Sequence, residues 1–362
     1  NGYTAQCSIT VITSITSLEV SPTSSTLESG QTLQLNKTIN PSTATEGVQW
    51  ASSNTSVATV SNSGLITAKN SGTATITLKN SSGTKTATCI IKVQNEIIIG
   101  RAGINSAYGY LDKYNANGQK IWSVELGVGG VNVIQPTSDG NYIIGRAGIN
   151  SAYGYLDKYN ANGQKIWSVE LGVGGVNVIQ STTDGNYIIG RAGTGSGYGY
   201  LDKYNTNGQK IWSVELGIGG VNVIQPTTDG NYIIGRAGTG SGYGYLDKYN
   251  TNGQKIWSVE LGIGGVNVIQ PTTDGNYIIG RAGTGSGYGY LDKYNTNGQK
   301  IWSVELGIGG VNVIQPTTDG NYIIGRAGTG SGYGYLDKYN TNGQKIWSVE
   351  LGIGGVNTII FP

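Results

Sequence analysis

Along most of this chain apolar and polar residues alternate with a period of two over short runs broken by Gly, Asn and Asp, and no stretch repeats apolar residues at helical spacing. That pattern predicts an all-β protein. The stretch from Val131 shows the signal most clearly. Val131–Gln135 reads as one strand, and Asp139 and Gly140 as a two-residue hairpin turn. Asn141–Ala147 reads as a second strand, and Tyr153–Tyr159 as a third after a glycine-rich connection. Asn162 and Gly163 mark another hairpin before a fourth strand, Lys165–Leu171. A link of Gly172, Val173, Gly174 and Gly175 then leads into a copy of the first strand.

The copying is periodic. Gly-Arg-Ala-Gly recurs at Gly100, Gly145, Gly190, Gly235, Gly280 and Gly325, every 45 residues. Four strands fill such a unit with no room for a helix, and a period of this size predicts the blades of a β-propeller. The fragment Glu96–Gly100 aligns with the second strand of the unit, and Val356–Pro362 with its first strand. Counted this way, residues 95–362 supply six strands of each type. The prediction is a six-bladed propeller closed by pairing of the C-terminal strand with Glu96–Gly100, which would leave no sheet edge open.

The units also resemble a family of bacterial secreted propeller repeats. The matching residues are Lys158, Asn160, Gly163 and Trp167, then Thr183, Asp184, Gly185, Tyr187, Ile188 and Ile189. The resemblance implies the fold and little about function, because propellers host many roles. Related repeats usually carry an apolar residue where Asp157 stands and often an aromatic one where Arg146 stands. Both departures recur together in every unit, so Arg146 and Asp157 are predicted to pair, with an Arg facing a ligand as the alternative. The tryptophans at 122, 167, 212, 257, 302 and 347 read as packing between blades, with sugar stacking as the second reading.

Before the repeats, seven short strand signals fall between Leu18 and Val93. They are Leu18–Val20, Thr32–Leu35, Val48–Trp50, Ala58–Val60, Leu65–Thr67, Thr73–Thr77 and Thr86–Val93. Their density predicts a β-sandwich. The residues Gly30–Leu35, Trp50–Asn54, Val57–Val60, Gly64–Ala68 and Gly72–Ile76 resemble the bacterial immunoglobulin-like group 2 domain. Residues 14–94 are therefore expected to form such an immunoglobulin-like β-sandwich. The resemblance implies a surface or secreted protein in which this domain is a spacer.

Residues 1–13 stand apart. Ala5, Cys7, Ile9 and Val11 repeat the spacing of Ala87, Cys89, Ile91 and Val93. They read either as the last strand of a preceding domain or as a donor strand for a neighbouring molecule, the contact from which a head-to-tail filament grows. Cys7 and Cys89 are candidates for an inter-subunit or intrachain disulfide.

Composition narrows the function. The net charge is +2 and only 12% of residues are charged, which is no footprint for nucleic acid. No stretch has the length of a membrane-spanning helix. There is no His, and so neither the commonest general base nor the commonest metal ligand. There is no Met either, so the chain as written starts at a processing site or a cut, and a removed secretion signal fits. The loop at Asn115–Gly118 lacks the first carboxylate of a calcium site, since Lys113 holds that place. The glycine-rich Gly193–Gly199 opens no helix and so forms no phosphate cradle. Asp157 and Glu170 recur in the units, a poor design for one catalytic centre. No cofactor, metal or catalytic residue is predicted.

What remains is a non-enzymatic extracellular or cell-surface bacterial protein. Its propeller is expected to be a multivalent recognition module for a glycan or a surface protein. A structural filament subunit that self-associates through the N-terminal strand is the alternative. The candidate ligand-binding residues lie on the propeller rim: Asn132, Asn177, Asn222, Asn267, Asn312 and Asn357.

Overall fold

A computed structural model describes residues 12–102, 108–147, 153–192, 197–237, 242–282, 287–327 and 332–361. Cys7, the N-terminal strand and most of the Gly193–Gly199 loop lie outside the described residues. Among those described, every regular element is a strand. A first compact unit ends at Ile99 and also takes in Asp112–Ser123; Gly100–Leu111 and Val124 onward form the second. The sequence placed the boundary at 94/95, one half-strand earlier.

The first unit contains β1 (Ser17–Ser21), β2 (Ser24–Glu28), β3 (Thr32–Gln34), β4 (Asn36–Asn40) and β5 (Val48–Ser52). It continues with β6 (Ala58–Val60), β7 (Leu65–Ala68), β8 (Gly72–Asn80) and β9 (Thr86–Gln94). One sheet has the order β2-β9-β8-β5 and a second β3-β7-β6, while β1 pairs with β4. Alternation decides what is buried. Ala74, Ile76, Cys89, Ile91 and Val93 of the first sheet meet Ala58, Ile66 and Ala68 of the second in one core. Two strands went unpredicted, β2 and β4, because Ser, Thr, Asn and Lys mask their alternation.

The repeats form six sheets among the described residues. Sheet 1 has three strands, β10 (Ile97–Ala102), β11 (Tyr108–Tyr114) and β12 (Lys120–Val128). Sheet 2 has four, β13 (Gly130–Pro136), β14 (Tyr142–Ala147), β15 (Tyr153–Tyr159) and β16 (Lys165–Val173). Sheet 3 follows with β17 (Val176–Ser181), β18 (Tyr187–Arg191), β19 (Tyr198–Tyr204) and β20 (Lys210–Ile218). Sheets 4, 5 and 6 repeat this at 220–263, 265–308 and 310–353. The hairpin loops are longer than expected. Thr137 N–H donates to Asn141 O and Gly140 N–H to Thr137 O, so three residues separate the closing pair, with Gly140 at φ 76°. That is the three-residue loop ending in a left-handed glycine, which the Asp-Gly signal also fits.

From sheet 2 to sheet 6 neighbouring sheets pack face to face. Ile143, Leu156, Trp167, Val169 and Leu171 of sheet 2 pack on Val176, Ile179, Tyr187, Ile189 and Tyr204 of sheet 3. The contact is tight enough to need a glycine: a Cβ at Gly190 would stand 2.5 Å from Val221 Cγ1 of the next sheet.

The predicted closure is not formed. Residues 356–361 are not in a strand and do not pair with Glu96–Gly100. They stay on sheet 6, where Val356 N–H donates to Arg326 O over 3.2 Å and Gly355 bridges Ala327. Every pairing in the repeats joins strands consecutive in sequence, whereas closure would join its two extremes and bear the entropy of that loop. The faces it would cover are exposed: Val349 at 47% and Leu351 at 53% on sheet 6, Ile97 at 47% and Ile99 at 42% on β10.

Candidate functional site

Strand alternation puts Arg191 of β18 and Tyr200 and Asp202 of β19 on one face of sheet 3, with Ser213 and Glu215 of β20. Register brings them side by side, with Arg191 opposite Tyr200, Tyr200 opposite Glu215, and Asp202 opposite Ser213. Arg191 Nε donates to Asp202 Oδ2 at 2.7 Å, and both side chains are buried. The other Asp202 oxygen accepts from the Ser213 hydroxyl. The guanidinium lies 4.4 Å from the Tyr200 ring centre, and its Nη1 donates to Leu171 O of sheet 2 over 2.9 Å. One cation thus orders its own sheet and ties it to the preceding one. Tyr200 OH completes the row by donating to Glu215 Oε2 at 3.0 Å.

The arrangement recurs. Arg146–Asp157, Arg236–Asp247, Arg281–Asp292 and Arg326–Asp337 pair at 2.6–2.7 Å. The predicted Arg–carboxylate pairing is therefore present, within sheets. Asp157 and Glu170 take different partners, Arg146 and Tyr155.

Above the Arg191 floor a cleft of about 480 Å³ opens between sheets 2 and 3. Leu171, Gly172 and Val173 of β16 form one side. Arg191, Tyr198, Tyr200, Lys210 and Ser213 form the other. Tyr198 is half exposed at 50%, and Val173 faces solvent at 47%. Sequence reasoning placed Tyr153 at the start of the third strand but did not select it or its counterparts as ligand contacts. The available signal was a tyrosine at the start of the third strand with glycines on both sides, Gly197 and Gly199 in this unit.

The rim asparagines occupy a different place. Asn132, Asn177, Asn222 and Asn267 each donate through Nδ2 to the carbonyl of Val176, Val221, Val266 and Val311 in the following sheet, all at 3.1 Å. Asn312 donates to Asn357 Oδ1 at 3.0 Å. These amides stitch innermost strands together. The tryptophans also serve packing: Trp167 Nε1–H donates to Thr206 O at 3.0 Å, and its ring lies against Gly208 of the next sheet. Cys89 is a free thiol in the core of the first unit, where burial pushes its pKa up. Asp184 sits in a hairpin turn. Partial burial opposes its ionisation, but Lys203 and Thr182 outweigh that and hold its carboxyl well below the usual range.

Comparison with known proteins places both parts. The family model of the bacterial Ig-like domain (group 2) matches residues 14–91. The kappa-carrageenase of Pseudoalteromonas carrageenovora is 46% identical over 66 residues, 18% of this chain and 17% of that enzyme's length. The chain therefore spans far less than two thirds of that relative. Among solved structures, the Dos1 propeller superposes with a TM-score of 0.55 at 11% identity, covering 79% of this chain and 81% of that one. A protein from Lactobacillus plantarum gives 0.49 at 14% identity, over 72% of this chain and 82% of its own. Residues 14–91 are a bacterial Ig-like domain of group 2, and the repeated four-stranded sheets that follow it fit the blades of a β-propeller.

Proposed function

We propose that this chain is a non-enzymatic extracellular or cell-surface protein whose propeller recognises a glycan or protein ligand through many equivalent clefts, with the Ig-like domain as its stalk. One observation carries the reading. The same face, with its Arg–Asp pair, stacked tyrosine and outward tyrosine, recurs at every junction from sheets 1 and 2 to sheets 5 and 6. Equivalent weak sites on one body gain affinity together when the ligand is itself repetitive. A catalytic centre calls for one asymmetric site with tuned groups, and the repeat works against that. The group 2 Ig-like match and the carrageenase relative support an extracellular setting.

The test is binding of the full chain to immobilised extracellular glycans and surface proteins at several ligand densities. Multivalent recognition predicts dissociation that slows steeply as density rises. Dissociation independent of density, or no binding to either class, contradicts it.

A further inference from the structure

We infer that each inter-sheet cleft is a subsite for a neutral hexose unit stacked on the outward tyrosine, so that the propeller takes an uncharged polysaccharide. This rests on the recognition reading above and narrows its ligand class. The outward tyrosines are large apolar groups held half in water: Tyr153 at 48%, Tyr198 at 50%, Tyr243 at 50%, Tyr288 at 49% and Tyr333 at 48%. Tyr198 opens β19, and the next side chain on its face of the strand is Tyr200 of the cleft itself. Across the cleft stands an aliphatic lip, Val173 at 47%, with Ile218, Ile263 and Ile308 at 52–53% in later sheets. An aromatic face with partial negative charge, beside an aliphatic lip, suits the C–H face of a pyranose ring.

The floor suits the hydroxyl edge. Of the charged residues Arg191 and Lys210 line it, while Asp202 lies fully buried behind Arg191 and Glu215 stands beside Tyr200, so the cluster around the floor has a formal charge that sums to zero. Arg191 and Asp202 already engage each other, and Glu215 engages Tyr200. The Arg191 charge is already neutralised by the buried Asp202, and Glu215 stands next to the Tyr200 hydroxyl, so an anionic ligand would find neither a free guanidinium nor a wholly cationic wall, and a cationic one would meet Arg191 and Lys210. A neutral polyol finds donors and acceptors of both kinds without a desolvated unpaired charge. The cleft volume of about 480 Å³ falls in the ~300–1,000 Å³ range of small-ligand sites. A folded protein partner needs a contact on the order of 800 Å² per side, which a cleft of this kind does not by itself supply.

The experiment is titration calorimetry of the full chain with neutral gluco-, manno- and galacto-oligosaccharides, and with sulfated and uronic oligosaccharides of equal length. At least one neutral series is expected to bind, with little change when salt is raised, and the parent polysaccharide at least about a hundredfold more tightly. Replacing Tyr153, Tyr198, Tyr243, Tyr288 and Tyr333 together by Ser is expected to weaken binding about tenfold or more, while the five Phe replacements keep it within about threefold, since the ring carries the contact. The single change Tyr198→Ser is expected to lower the stoichiometry by one site, which keeps the test decisive if the fivefold Ser variant does not fold. If only charged oligosaccharides or a protein bind, and the Ser set abolishes that binding, the hexose assignment is wrong and the recognition reading stands. If no ligand of any class depends on these tyrosines, both are wrong.

Discussion

At the scale of single residues, the buried Arg–Asp pair matters most. Asp202 is fully buried, and Arg191 is its only cationic partner among the described residues. Arg191→Met should therefore destabilise the chain by about 3–5 kcal/mol, because it leaves a desolvated carboxylate unpaired. Adding Asp202→Leu to that variant should restore much of the loss, read by denaturant unfolding. The tyrosines that end the third strands predict an alkaline limit. Burial pushes Tyr159, Tyr249, Tyr294 and Tyr339 up to about 12. An unfolded tyrosine titrates near pH 10. Their neutral forms therefore stabilise the fold fully below about pH 10, and that contribution is lost as pH rises through the folded value near 12. Tyrosinate absorbance from this set and loss of the β-sheet signal should rise together in that window. Ionisation well ahead of unfolding would contradict the burial argument. The pairing of Arg and Asp was legible in the sequence, because two departures from the related repeats occurred together. The bond from Arg191 to Leu171 O was not, since a backbone acceptor in a neighbouring sheet leaves no mark on residue type.

At the scale of elements, period-two alternation carried the reading of the repeats, where Tyr153–Tyr159 begins and ends as predicted. It failed for Ser24–Glu28 and Asn36–Asn40, whose side chains are mostly polar on both faces. The rim asparagines illustrate a second limit. Their position near the innermost strands was readable, but sequence alone does not distinguish a polar side chain offered to a ligand from one bonded to the next strand. Gly190 tests how closely neighbouring sheets approach. Its missing side chain admits Val221 of the following sheet and Val178 of its own. Gly190→Ala should cost about 1–3 kcal/mol by overpacking. The same change at Gly230, a turn position with open space around it, should act only through its φ of 79°. A Gly190→Ala variant as stable as the parent would show that neighbouring sheets are less tightly packed than described.

At the scale of the whole molecule, duplication makes many copies of one packing surface and leaves one unmatched at each end. Residues 356–361 are in no strand and do not pair with β10. Amide hydrogen exchange should then leave residues 357–361 far less protected than Val131–Gln135. Protection equal to that of Val131–Gln135 would show that the ring closes in solution. Fold class and repeat number were legible because the period is in the sequence itself. The clefts were not, because they arise where two sheets meet and neither sheet encodes them alone. The central claim is that those clefts are equivalent binding sites, and the most direct measurement is the number of ligand molecules bound per chain at saturation, by native mass spectrometry with the tightest-binding oligosaccharide. The account predicts a ladder reaching five, one for each junction bearing Tyr153, Tyr198, Tyr243, Tyr288 and Tyr333. A ladder that stops at one would contradict it.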